Sequence, residues 1–445
     1  MKKYDSLFTI MHQTEIPLLE IIPKKYLKNK TVLVRVDFNV PIVDSQISDD
    51  SRIKAALDTI TFLIRNGANI VLLSHLGRPK GEPNLKYTLQ PVADHLSTLV
   101  DQKVAFITLQ QFENQKNKSK STTDEYRITL LENIRFYEGE ESNSTAFSKR
   151  LAALADLYVN DAFSTSHRSH ASITGVPKYI PSYGGFSFAK EIQMLGKVMH
   201  EPQRPFVMVI GGAKISDKVE AVQNLAQIAD AVLIGGGTAN NFLKAEGIDI
   251  CKSLVEEPKD SLQNKKQRSV NYVEVAQDMI EQTRTSKILL DGYIPIPKII
   301  LPIDVIAAKG IEESESEIIE LLNCKTHEPA KQQLMYLDIG PKTIKLFKEI
   351  LLQAGTIFWN GPMGVFEKDQ FATGTKEIAR TIAKAGATTI LGGGDTIASI
   401  RTFSNENRYD YVSAAGGAAL AFLAGKQLPG IEALQRTKSI QYKSL

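Results

Sequence analysis

Residues 388–399, TTILGGGDTIAS, join an apolar run to Ile-Ala-Ser through three glycines, Asp395 and Thr396. Glycines where a strand turns into a helix let a ligand approach bare backbone. A helix start also presents unpaired N–H groups and a positive dipole end to a phosphate. Asp395 can cap that helix or hold a divalent cation through its carboxylate oxygens. Taken alone, the stretch suits a plain strand–helix turn as well as a phosphate loop built on Gly393 and Gly394. The other half of a site has to come from elsewhere in the chain.

That half is cationic. VRVDFNVP carries Arg35, Asp37 and Asn39, and Arg52 opens the helical pattern of SRIKAALDTI. LLSHLGRP brings His75 and Arg78, LLENIRF brings Arg135, and YVNDAFSTSHRSHAS brings His167, Arg168 and His170. Any one of these arginines suits a surface or structural role. Arg35, Arg52, Arg78, Arg135 and Arg168 converging with His75 on one sheet edge are costly without an anion, and guanidinium forks fit phosphate and carboxylate. Asp37 and Asn39 would orient a neutral hydroxyl. His167 and His170 have no thiolate or carboxylate at ligand spacing, which argues against a metal there.

Further turns repeat the glycine logic. FVMVIGGAKISDK ends a strand in Gly211-Gly212, followed by Ala213. Lys214 and Lys218, four apart, share a face if that turn is helical. AVLIGGGTANNF supplies Gly236, and TIFWNGPMGVFE runs through Asn360 and Pro362 to Glu367. Each turn alone suits tight strand–helix packing; together they favour a nucleotide with its phosphates on backbone N–H groups. Neither GxxxxGK[ST] nor GxGxxG occurs, which removes a Walker loop and a dinucleotide fingerprint. Guanidiniums for a small multiply charged acid, with glycine turns, lysines and Asp395 for a nucleotide, make a phosphoryl-transfer layout with the two substrates on facing edges. No side chain stands out as a general base, so the acceptor is expected to be ionised already, as a carboxylate is.

The elements that must position these groups follow a strand–loop–helix rhythm. Strands are expected over 31–40, 68–74, 103–107, 127–131 and 157–160. Six more are expected over 206–210, 231–234, 298–301, 334–337, 356–359 and 388–391. Short apolar runs separated by amphipathic segments indicate parallel sheets with helices on both faces. Eleven strands exceed one comfortable open sheet, so two doubly wound, Rossmann-like α/β domains are expected. The break falls near 177–204, where a Pro/Gly-rich loop precedes a helix over 188–199 that reads as connector and hinge. Residues 110–126 and 261–268 read as solvated loops.

Composition excludes several classes. The 445 residues carry 53 basic and 50 acidic side chains for a net charge of +3, too balanced for a nucleic-acid footprint. Apolar content of 43% and charged content of 23% describe an ordinary globular protein, and no apolar run reaches a membrane span. Cys251 and Cys324 form no metal or redox spacing, which points to a reducing, cytoplasmic compartment. The first residues read as a leader-like tail of the mature protein rather than a signal, with Met1 or Met11 as the start.

RVDFNVP, SHLGRP, LLENIRF, YVNDAF, GGAKISDK, WNGPMGVFE and LGGGDT, in this order over about residues 31–434, resemble phosphoglycerate kinase. The resemblance implies reversible phosphoryl transfer between 1,3-bisphosphoglycerate and ADP, giving 3-phosphoglycerate and ATP with Mg²⁺. It implies a 3-phosphoglycerate site at Asp37, Asn39, Arg52, His75, Arg78, Arg135 and Arg168, with Arg52 shielding charge on the migrating group. Lys214 and Lys218 would face the transferred phosphoryl and the nucleotide phosphates, with Gly394 and Gly417 beside the transfer path. Gly212, Ala213, Gly236, Tyr336, Asn360, Pro362, Glu367, Gly393, Gly394, Asp395 and Thr396 would hold the nucleotide, Glu367 at the ribose and Asp395 at magnesium. A monomer is expected. Its acid-binding domain would span 1–186, with 413–445 packing back on it, its hinge helix 187–200, and its nucleotide-binding domain 201–412.

Departures from the family pattern are also present. Ser164 stands where glycine is usual, and Thr238 and Asn241 replace a methionine and an aromatic residue. Tyr336 replaces a glycine bordering the nucleotide base, and SAAGGA replaces STGGGA around Ala414 and Ala415. A non-catalytic descendant that keeps both ligand sites is the alternative these changes allow.

Overall fold

The computed structural model describes residues 16–118, 127–256, 270–284, 287–290, 294–321 and 331–437. The chain divides into two compact units, one running to Gln193 and resuming at Gln427, the other running from Met194 to Lys426.

In the first unit, six strands form one parallel sheet: β1 (Thr31–Arg35), β2 (Asn69–Leu73), β3 (Val104–Ile107), β4 (Ile128–Leu131), β5 (Leu157–Asn160) and β6 (Ser182–Gly184). Their spatial order is β3-β4-β2-β1-β5-β6. Val32, Val34, Ile70, Leu72, Leu157 and Val159 are fully or almost fully buried in one core, as strands covered on both faces require. β1 ends at Arg35 and not at Val40 as the apolar run suggested. Val36 N–H still reaches Leu73 O, but Phe38 N–H turns aside to Ser74 Oγ (2.8 Å), which frees Asp37 and Asn39 to sit in a loop. Helix α1 (Ser51–Ala55) follows and carries Arg52.

Two loop expectations are corrected in part. Leu109–Lys118 is helical, because Leu109 and Phe112 bury and Arg150 grips Glu113 with two bonds of 2.6 and 2.7 Å; residues 119–126 lie outside the described residues, as do 261–268. The Pro/Gly-rich segment conceals the three-residue strand β6.

The expected connector is helix α2 (Phe186–His200), and the division between the units falls inside it. Asp161, buried just beyond β5, caps its start: Oδ1 accepts from Ser187 N (2.9 Å) and Phe188 N (3.1 Å). Burial pushes this carboxyl up to about 7.

The second unit repeats the architecture with β7 (Phe206–Ile210), β8 (Ala231–Ile234) and β9 (Ile299–Ile300). Its helices α3 (Val219–Ile228) and α4 (Gly236–Ala245) follow β7 and β8. β10 (Asp304–Ala308), β11 (Glu317–Glu320) and β12 (Met335–Ile339) form a separate antiparallel sheet in the order β11-β10-β12. The run at 334–337 was expected in a parallel sheet. A short apolar run shows burial and not the direction of its partner, so its sequence could not make this distinction. β13 (Thr356–Asn360), β14 (Thr388–Gly392) and β15 (Tyr411–Ser413) complete the parallel sheet, ordered β9-β8-β7-β13-β14-β15.

Helix α5 (Gly394–Phe403) starts directly after β14. Helix α6 (Gly417–Leu423) lies against α3, where Asn224 Nδ2 donates to Leu423 O at 2.6 Å. Helix α7 (Pro429–Gln435) belongs to the first unit and bonds Gly430 N to Ser166 O at 2.9 Å. No helix among the described residues is long and apolar enough to cross a membrane.

Candidate active site

In the first unit, the strand ends and the loops after them bring the expected cations together. Arg35 is fully buried at the end of β1; its Nε donates to Ser172 Oγ (2.9 Å) and its Nη2 to His75 Nδ1 (3.1 Å). Arg52 Nη1 meets Asp37 Oδ2 at 2.7 Å, and the Ser164 hydroxyl donates to the same oxygen. Asn39 Oδ1 accepts from Gly77 N (2.9 Å), while Arg135 Nη1 donates to Gly77 O (2.7 Å), so one peptide turn registers both side chains. Arg168 Nε donates to His167 Nε2 at 3.2 Å. Arg78 is exposed on the loop after β2.

The electrostatics are one-sided. Burial, then Arg35, Arg135, Arg168 and Arg52, hold the His75 imidazole well below its ordinary range. Burial and Arg135 bring His170 to about 3, and burial and Arg168 lower His167. All three rings are therefore neutral at pH 7, and the positive charge resides on guanidiniums. Even Arg135 is drawn down to about 10, by burial and by Arg168 and Arg35.

Among the described residues, eight buried side-chain polar atoms lack a hydrogen-bond partner. Four of them, Arg135 Nε and Nη2, His167 Nδ1 and His170 Nδ1, belong to this cluster. Arg135 Nε lies 3.2 Å from Glu141 Oε1 but without hydrogen-bond geometry. Unpartnered nitrogens on a crowded, buried guanidinium and on neutral rings beside it are what an anion-binding site offers its anion.

In the second unit the glycine turns interlock. Gly212 N donates to Pro362 O (2.7 Å), Gly236 N to Met363 O (3.0 Å), and Thr238 N to Gly212 O (3.0 Å). Gly361 shows why no side chain fits: its φ is +98°, and a Cβ there would lie 2.2 Å from Gly211 O. Thr396, fully buried in α5, accepts from Gly361 N through its hydroxyl at 2.6 Å, so its side chain braces the Pro362 loop. Gly394 is the opposite case. A Cβ there would meet nothing within 4 Å, and the helix it opens has no side-chain cap, which leaves a bare, accessible N-terminus. Asp395 is exposed in that first turn, and Gly417 likewise opens α6 onto free space.

The lysine turn is not helical, so the shared helix face considered for Lys214 and Lys218 does not arise; α3 begins only at Val219. Lys218 instead folds back, and its Nζ donates to Gly211 O at 2.7 Å. Burial pulls its ammonium down to about 8, opposed by Asp395 and Asp217. Lys214 is exposed, as are Ala213 and Glu367, while Asn360 is buried at the end of β13. Tyr336 is buried: its hydroxyl donates to Asp249 O (2.9 Å), and its residue lines a small cavity with Gly236, Asn240, Leu337 and Met363.

Sequence reasoning missed two positioning groups. Glu140, fully buried, accepts from Ser172 N (2.9 Å) and Ser172 Oγ (2.6 Å). Glu256 accepts from Ser216 N (2.9 Å) and from its hydroxyl, fastening the turn between the two lysines. No local pattern announces them, because their partners lie 32 and 40 residues away.

The chain matches the phosphoglycerate kinase family over residues 22–426. It is 44% identical over 414 residues to a phosphoglycerate kinase of Finegoldia magna, covering 92% of this chain and 96% of that one. It is 45% identical over 415 residues to one of Pseudothermotoga lettingae, covering 93% and 97%. Among solved structures it is similar to phosphoglycerate kinase from Coxiella burnetii, with TM-score 0.79 at 36% identity over 95% of this chain and all of that one. Phosphoglycerate kinase from Pyrococcus horikoshii matches with TM-score 0.74 at 34% identity, over 94% and 98%.

Proposed function

The chain belongs to the phosphoglycerate kinase family, and from that premise we propose which of its residues carry the reversible transfer between 1,3-bisphosphoglycerate and ADP. Arg35, Arg135, Arg168, His75 and His170 form the bed for 3-phosphoglycerate, with Arg78 added from its exposed loop when ligand binds. Asp37 and Asn39 orient the hydroxyl, and Arg52, steered by Asp37, shields the migrating group. The substrate carboxylate is itself the nucleophile, so the protein supplies position and positive charge and moves no proton. The observation that carries this reading is the set of four buried, unpartnered nitrogens on Arg135, His167 and His170.

Gly212, Ala213, Gly236, Asn360, Pro362, Gly393, Gly394 and Thr396 line the nucleotide's path, the N–H groups at the uncapped start of α5 taking its phosphates, and Tyr336 and Glu367 border the base and ribose. Lys214 and Lys218 face the phosphates, with Gly394 and Gly417 beside the transferred group. Among the described residues no three His, Cys, Asp or Glu side chains are placed to cage a metal. Mg²⁺ would be held by one carboxylate, Asp395, and otherwise by the nucleotide's own phosphates. The ion would neutralise phosphate charge during transfer. The domain around the acid site acts with the nucleotide domain through the hinge helix, as a cytoplasmic monomer that binds neither nucleic acid nor membrane.

A non-catalytic descendant finds no support in the relatives just described, which are named as the enzyme. A coupled assay with ADP and 1,3-bisphosphoglycerate decides the matter. ATP formation is expected; tight binding of both ligands without turnover would overturn the proposal.

A further inference from the structure

We propose that Glu140 is a positioning residue: through Ser172 and Arg35 it locks His75 as an Nε2–H donor within the acid-holding cluster. A guanidinium has only donors. Ser172 Oγ must therefore accept from Arg35 Nε at 2.9 Å and give its own proton to Glu140 Oε1 at 2.6 Å. By the same logic His75 Nδ1 must accept from Arg35 Nη2 at 3.1 Å, so the one proton of the neutral ring resides on Nε2.

Every member of the relay is at most 4% exposed. Among the described residues Arg35 touches no carboxylate directly, and its other side-chain bond is to Val36 O. Glu140 is thus the charge that Arg35 is balanced against, one hydroxyl away. The carboxylate also accepts Ser172 N at 2.9 Å, which fixes the rotamer of the serine that carries the link. Without Glu140, a buried guanidinium would turn toward another acceptor, and His75 would lose the bond that defines its orientation.

The kinetic part of this inference rests on the cluster being the 3-phosphoglycerate site; the spectroscopic part does not. The test uses the full chain with ¹⁵N-labelled histidine, comparing wild type with Glu140→Gln and Ser172→Ala. In wild type, His75 Nδ1 should resonate as a hydrogen-bonded imine nitrogen, and in both variants it should move toward the unbonded position. KM for 3-phosphoglycerate should rise on the order of tenfold while KM for the nucleotide changes little, as misplacement of one binding group predicts. Should Glu140→Gln fail to fold, Ser172→Ala keeps both charges and removes a single hydroxyl, and it decides alone. An unchanged His75 spectrum in a folded variant overturns the relay, and so does an equal rise in both KM values. A His75 signature that responds as expected in a protein without turnover upholds the relay and overturns the functional reading instead.

Discussion

The two units build their candidate sites by opposite means. The first builds its site from side chains: buried guanidiniums, neutral histidines and a carboxylate relay, joined by bonds that run between distant strand ends. The second builds from backbone, with glycine turns packed too closely for a Cβ and a helix start left bare. A side-chain site can lose one group and keep its fold, so its mutants should separate chemistry from stability. A backbone site has its function and its fold in the same atoms, so its mutants should fail at both together.

Arg52→Ala is the largest expected effect and the sharpest test of that contrast. Arg52 is partly exposed and held to Asp37 at 2.7 Å by a bond that takes no part in the core. Its removal should lower kcat by ~10²–10³ in steady-state assays, the cost of deleting one charge-stabilising donor. Melting temperature and nucleotide affinity should stay near wild type. Retained turnover would remove Arg52 from the mechanism.

Gly361→Ala is the counterpart in the second unit. The left-handed φ of +98° and the 2.2 Å approach to Gly211 O mean that even a methyl group must displace backbone. A loss of about 2 kcal/mol in denaturant unfolding is expected, accompanied by weaker nucleotide binding. If stability falls while nucleotide affinity does not, the interlocked turns are structural and the contrast between the units breaks.

Lys218 sits between the two regimes, a charged side chain folded into the glycine turns. Its ammonium is held down to about 8 by burial, so it is charged below that pH and neutral above it. Nucleotide affinity should therefore decline above about pH 8, by up to ~10-fold per pH unit while only the charged form binds. Stability should respond in the opposite sense: the fold favours the neutral amine, so stability rises from about pH 8 toward lysine's ordinary value near ~10.4. Lys218→Arg, always charged, should abolish the alkaline decline in a titration of nucleotide affinity against pH. A decline that persists assigns it to another group.

The same contrast explains what the sequence could announce. Eleven strands were legible because burial on both faces leaves continuous apolar runs, and the arginines because charge at strand ends is conspicuous. β6 and β15, three residues each, were too short to leave a pattern. Glu140 and Glu256 were invisible for a different reason: a carboxylate that bonds a serine 32 or 40 residues away looks like any surface glutamate until the fold closes. Ser164 looked like a bare departure from glycine, yet its hydroxyl meets Asp37 and so joins the acid site.

Tyr336 should give the smallest effect, and it tests whether base recognition in the second unit is left to backbone alone. The ring is buried, its hydroxyl is tethered to Asp249 O at 2.9 Å, and its residue shares a cavity wall with Gly236 and Leu337. If the ring narrows the base site, Tyr336→Gly should shift the ratio of kcat/KM for ATP over GTP by about tenfold, the low end of what steric selection in an apolar pocket supplies. Tyr336→Phe keeps the ring and removes only the tether, so it should leave that ratio alone. A glycine variant that melts earlier with an unchanged ratio would make Tyr336 a core residue and leave base recognition to the glycine-lined backbone; a shifted ratio would show that a side chain takes part in reading the base.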